Sequence, residues 1–167
     1  MKLSLQYIAG FIDGEGYLGI VKKTSKESTL GYYFTPVLKI SQVTRNDEVL
    51  KCIKDFLGCG NLTLDKLNAL KSGNGVNKSS LEYRSEKRVT PILKKIYPYL
   101  IVKKKQADIL LKYAKLAKVR DFKCRMEIDK KRTALYNDIR FLNRRGLAET
   151  NRSEAERLYN SPNHTNK

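Results

Sequence analysis

Two carboxylates, Asp13 and Glu15, stand beside Gly14 and Gly16 at the end of the apolar run Ile8-Ala9-Gly10-Phe11-Ile12. A carboxylate next to the free carbonyl oxygens of a helix C-terminus is a good ligand set for a hard cation such as Mg2+, which takes oxygen donors and keeps several waters. Residue type alone leaves a second reading open, a helix that ends in a polar, glycine-rich turn. Other chemistries are disfavoured. The only histidine, His164, lies in the polar tail SPNHTNK, so no Ser–His or Cys–His pair is expected in the body of the chain. Cys52, Cys59 and Cys124 are too few and too far apart for a zinc site or a disulfide framework. Their odd number fits reduced thiols, and Cys52 is expected to be buried on a helix. Hydrolysis by such a chain would need carboxylates, lysines or a metal-bound water.

Secondary structure must place these groups. Leu5, Ile8, Phe11 and Ile12 recur at helical spacing, which predicts a helix over residues 4–14 that Gly14 and Gly16 terminate. Within it, the four-residue spacing of Gly10 and Gly14, with Ala9 beside them, offers a flat surface where a second backbone could approach closely. Alternation predicts strands over 17–23 and 32–42, joined by the polar tip Thr24–Thr29. A helix over 47–57 ends at Gly58. A second hairpin follows, with strands near 61–64 and 80–84 and a long polar loop near 67–78. Thr90 followed by Pro91 marks a helix start, and that helix runs to Ile96. Further helices are expected over 104–118 and 122–143. Ser153 with Glu156 suggests a capped last helix, and residues 161–167 a disordered tail.

Helix, hairpin, helix, hairpin and then helices describe an α+β protein built on an antiparallel sheet. Helices should cover its apolar face. The other face carries Lys23, Thr35, Lys39, Ser41, Glu82 and Arg84. The chain has 34 Lys plus Arg against 17 Asp plus Glu, a net charge of +17, which attracts polyanions, nucleic acid first among them. The charge is spread along the chain: residues 101–167 hold 18 basic and 8 acidic residues. A binding surface built into the fold is therefore expected, and a β-ribbon fits the major groove. A length of 167 residues and 41% apolar content suit one domain with its own core. No apolar run approaches the roughly 18 residues of a membrane span, and the N-terminus lacks signal-peptide features. A soluble, intracellular protein is expected.

The segment IAGFIDGEG at residues 8–16 resembles the signature of the LAGLIDADG homing endonucleases, departing from it at Ile8, Phe11, Gly14 and Glu15. The resemblance continues through Gln42 at a strand end, Gly58-Cys59-Gly60 after the next helix, and Pro98-Tyr99-Leu100 leading into Lys103 and Lys105-Gln106-Ala107. It covers roughly residues 3–118, and residues 65–79 do not align with it. It implies an αββαββα homing-endonuclease fold whose antiparallel sheet forms a DNA-binding saddle. The domain would comprise a core over 1–120 and a helical extension over 121–160.

By the same resemblance, Glu15 would be the main metal ligand, joined by the backbone carbonyl of Gly14. Gln42 would orient a water. Lys103, rather than Lys104 or Lys105, would stabilise charge near the phosphate or tune the nucleophilic water. Asp13 would be structural. A second basic residue of the family falls near Asn46, with Arg45 as the nearest substitute. A single motif implies a homodimer paired through Ala9, Gly10 and Gly14. Two copies would cut both strands of a long pseudo-palindromic DNA site with Mg2+, leaving short 3′ overhangs. Mn2+ would substitute, and Ca2+ would support binding without cleavage. An intron-encoded protein of an organelle (chloroplast or mitochondrion) or of an archaeal cytoplasm is implied. Two alternatives share the fold: an RNA maturase that binds its own intron RNA, and a non-catalytic DNA-binding protein.

Overall fold

The computed structural model describes residues 3–26, 28, 30–65, 77–116 and 122–144. Helix α1 (Leu5–Glu15) begins at Ser4, whose Oγ accepts the Tyr7 N–H at 3.2 Å, an N-cap that satisfies one orphan donor. Strands β1 (Gly16–Thr24) and β2 (Tyr32–Val43) follow, then a 3-10 turn (Thr44–Asn46) and α2 (Glu48–Leu57). Gly58 ends α2 in the left-handed conformation, with φ 71°, which glycine adopts without a Cβ penalty. After β3 (Asn61–Asp65) and β4 (Lys78–Arg84) come α3 (Glu86–Ile96), a 3-10 turn (Tyr97–Tyr99), α4 (Lys104–Lys115) and α5 (Phe122–Leu142). The long loop near 67–78 lies outside the described residues up to Val76. So do the Ser153–Glu156 cap, His164 and the tail.

The four strands form one antiparallel sheet in the order β1-β2-β4-β3. Leu18, Ile20, Phe34, Leu38, Ile40, Leu81 and Tyr83 supply its buried face, and they share one core with residues of all five helices. Each buried Leu or Ile side chain contributes about 1.5–3 kcal/mol. α1 lies on β1 and β2, and α3 on β2 and β4, while α5 packs on β1 and α4. α5 is fixed in three ways. Ile139 enters the core, Tyr136 packs on Phe34 with ring centroids 5.1 Å apart, and Asn143 Nδ2 donates to the Leu18 carbonyl at 2.8 Å. The buried Tyr113 hydroxyl donates to the Phe34 carbonyl at 2.9 Å, and burial pushes its pKa up to about 12.

Three expectations are corrected. α3 starts at Glu86 after Ser85, not at Thr90, and Pro91 sits inside it. An interior proline costs about 3 kcal/mol. Burial of Val89 in phase with Ile92, Leu93 and Ile96 outweighs that at about 1.5–3 kcal/mol per side chain. Cys52 is half-buried rather than buried, because α2 turns Leu50 and Ile53 inward and leaves Phe56 47% exposed. Ala9 is fully buried in the core, so it is not available to a partner helix. Among the described residues no helix is long and apolar enough to cross a membrane.

Candidate nucleic-acid interface and active site

Residues directly opposed in an antiparallel ladder share a face. The register sets Tyr17, Lys39, Glu82 and Asn61 side by side across the sheet, with Val37 opposite Arg84, Val21 opposite Thr35, Lys23 opposite Tyr33 and Ser41 opposite Ser80. All six residues expected on the polar face, Lys23, Thr35, Lys39, Ser41, Glu82 and Arg84, therefore lie together, on the side away from the core. Glu82, Arg84 and Ser41 are among those held by neighbours. Glu82 pairs with Arg84 at 2.7 Å, and the Ser41 and Ser80 hydroxyls lie 3.0 Å apart.

The same face holds residues that the sequence did not single out. Tyr17 and Tyr33 are 42% and 46% exposed, and the Tyr17 ring lies where a Cβ on Gly19 would sit. Val37 is buried yet stands outside the main core. The signal was present, because Tyr17, Gly19 and Val21 alternate with the core residues of β1.

The three expected catalytic residues converge on one end of the sheet. Glu15 is the last residue of α1 and is exposed. Gly16 turns the chain straight into β1: a Cβ there would lie 2.9 Å from Ile12 Cα, so only glycine allows so abrupt an exit. Gly16 pairs with Ile40, and Gln42 lies two residues further along β2, roughly 7 Å beyond that pair at strand spacing. Gln42 sits opposite Ser79, and its Oε1 accepts the Val43 N–H at 3.1 Å. The strand end is braced from outside, because Asp47 accepts the Ser79 hydroxyl at 2.8 Å and pairs with Lys51 at 2.9 Å. The hydrogen bond from Lys51 holds the Asp47 carboxyl below the usual carboxylate range. Arg45 and Asn46, both exposed, occupy the turn just after Gln42.

Lys103 reaches the same end from α4, where it is the N-cap residue. Its Nζ donates to the Asp13 carbonyl. The Asp13 carboxylate accepts the Ile101 N–H at 2.7 Å and the Lys103 N–H at 2.9 Å. Lys104 points elsewhere, with Nζ 5.3 Å from the Tyr97 ring centroid. Among the described residues no group of three or more His, Cys, Asp or Glu could hold a metal ion. The donors at the end of α1 are one exposed carboxylate and helix-end carbonyls. These are hard oxygens suited to Mg2+, which would complete its shell from water and substrate phosphate.

Gly10 and Gly14 are exposed, and a Cβ added at either would meet nothing within 4 Å. Near the end of α1, Ile101 and Val102 are 84% and 70% exposed. The sequence signal for this surface is an apolar pair directly before a basic run.

Comparison with known proteins follows the same lines. A family model described as LAGLIDADG endonuclease matches residues 8–117. DNA endonuclease I-CvuI of Chlorella vulgaris is 26% identical over 114 residues, 68% of this chain and 65% of its own length. An uncharacterized 50.9 kDa protein in ND4 intron 1 of Podospora anserina is 34% identical over 109 residues, 63% of this chain and 22% of its own. The chain thus spans less than two thirds of either relative. Crystallised with its target and calcium, I-CvuI superposes with a TM-score of 0.69 at 24% identity, covering 93% of this chain and 94% of that one, a likeness of fold. The archaeal intron-encoded homing endonuclease I-Vdi141I, complexed with DNA, gives 0.66 at 25% identity, covering 86% of each chain.

Proposed function

The chain belongs to the LAGLIDADG endonuclease family, and from that premise we propose that it is a site-specific DNA endonuclease acting as a homodimer on a long, pseudo-palindromic duplex. The observation that carries this reading is the gathering of Glu15, Gln42 and Lys103 at one end of a sheet whose open face bears Lys23, Thr35, Lys39, Ser41, Glu82 and Arg84. Base edges are read by the sheet. The Glu82 carboxylate repels phosphates, so the Glu82–Arg84 pair faces bases, where arginine suits guanine. Phosphate contacts come from the remaining positive charge.

The catalytic groups lie in the core expected over residues 1–120, and α5 belongs to the extension expected over 121–160. Glu15 and the Gly14 carbonyl hold the divalent cation. When bound, that ion lowers the pKa of a water and offsets charge on the leaving oxygen. Gln42, with Oε1 fixed to its own strand end, directs its amide N–H groups at a water. The ammonium of Lys103 stabilises negative charge on the phosphate under attack. One chain supplies one such site, and cutting two strands needs two. Gly10 and Gly14 give α1 a surface on which a second α1 can lie, and two-fold symmetry then sets the symmetry of the target.

The test is to incubate the protein with Mg2+ and a plasmid library of genomic fragments and to sequence the cut ends. Discrete double-strand cuts with short 3′ overhangs are expected with Mg2+ or Mn2+, and binding without cutting with Ca2+. Sequence-specific binding with no cutting under any of these ions would make the protein a DNA-binding regulator instead. Within the site, Lys103→Ala should lower the cleavage rate by about 10²-fold, and Lys104→Ala should leave it nearly unchanged. The reverse order would shift the assignment to Lys104.

A further inference from the structure

We infer that Asp13 is the positioning residue for Lys103, and that its carboxylate sets the catalytic rate through the 101–103 turn rather than through metal or DNA. The inference rests on the endonuclease reading above. The turn has little packing of its own. Leu100 and Ala107 are buried on either side of it, but Ile101 and Val102 are 84% and 70% exposed. Both Asp13 oxygens are spent on this turn, one on the Ile101 N–H and one on the Lys103 N–H. These donors stand at the head of α4, where the helix dipole favours an anion, and charge-assisted bonds of this kind are short and strong. The Asp13 carbonyl then receives the Lys103 ammonium. One residue therefore fixes both the root and the tip of the lysine, two positions from Glu15. A carboxylate accepts both N–H groups, whereas an amide of the same shape turns an NH2 toward one of them. Asp13→Asn should thus keep the fold and release the turn.

A displacement of about 1 Å at a reacting centre can cost on the order of 10²-fold in rate. Asp13→Asn should therefore lower kcat about 10- to 100-fold, with DNA affinity in Ca2+ near wild type and the melting temperature lowered by a few degrees, the chain remaining folded at the assay temperature. The deciding measurement is a double-mutant cycle with Lys103→Met. If Asp13 acts through Lys103, Asp13→Asn costs little further rate in the Lys103→Met background. Equal losses in both backgrounds would overturn the inference, and so would full activity of Asp13→Asn. A second readout needs no DNA: site-resolved acetylation by mass spectrometry. The rate at Lys103 should rise several-fold in Asp13→Asn while that at Lys95 stays constant, and an unchanged Lys103 rate counts against the assignment. A wild-type protein that cuts nothing, with Lys103 acetylation still responding to Asp13→Asn, would overturn the endonuclease reading and the catalytic part of this inference while leaving the positioning contact intact.

Discussion

Glu15→Gln should abolish cleavage, by a factor on the order of 10³ or more, and leave specific DNA binding unchanged or tighter. Glu15 is exposed at the end of α1, so the substitution should not disturb the fold. Among the described residues at the end of α1, it removes the carboxylate that the proposed cation would use, since the Asp13 carboxylate is committed to backbone N–H groups. In the proposed complex it would also remove a negative charge beside the phosphate. Gel cleavage with Mg2+, and mobility shift with Ca2+, separate the two effects. Cleavage at the wild-type rate by this variant would refute the assignment of Glu15.

Gly10→Leu should produce effects of opposite sign on the isolated chain and on the cutting reaction. In the isolated chain, a Cβ at position 10 enters open space, and replacing an interior helix glycine stabilises the helix by about 1 kcal/mol. The melting temperature at low protein concentration should therefore hold or rise. In the proposed dimer, the leucine would keep the α1 helices apart, and double-strand cleavage should fall by about 10²-fold although Glu15 is untouched. Sedimentation on target DNA should show the wild type at twice the 19.2 kDa chain mass and the variant losing that species. A wild-type protein that stays monomeric on its target while cutting both strands would overturn the paired-helix arrangement.

The element order and the polar sheet face were legible because alternation and helical spacing follow directly from burial on one side. The motif helix, the glycine after α2 and the register-linked set Lys39, Glu82 and Arg84 were readable on that basis. Ala9 was misread by residue size alone. At about 100° per residue, it falls near Ile8 and Ile12, on the core side, whereas Gly10 and Gly14 fall opposite. Helical phase would have decided it. The start of α3 was hidden because a Thr-Pro signal is local, while the burial of Val89 is tertiary. Residue types in the run Lys103-Lys104-Lys105 could not say which amine faces the end of α1. That choice is made by the Asp13 contacts, 90 residues away in sequence.

The bond from Asn143 to the Leu18 carbonyl bears on self-association. β1 is an outer strand of the sheet, and an uncovered outer strand is a template for pairing with another chain. α5 lies along it and occupies one of its carbonyls. Ending the chain after residue 116 would strip that cover and expose the side of Phe34 on which Tyr136 rests. Such a fragment is expected to aggregate as its concentration rises, with light scattering growing while the full chain stays clear. On that expectation α5 would guard β1 and keep contact between copies off the sheet edge.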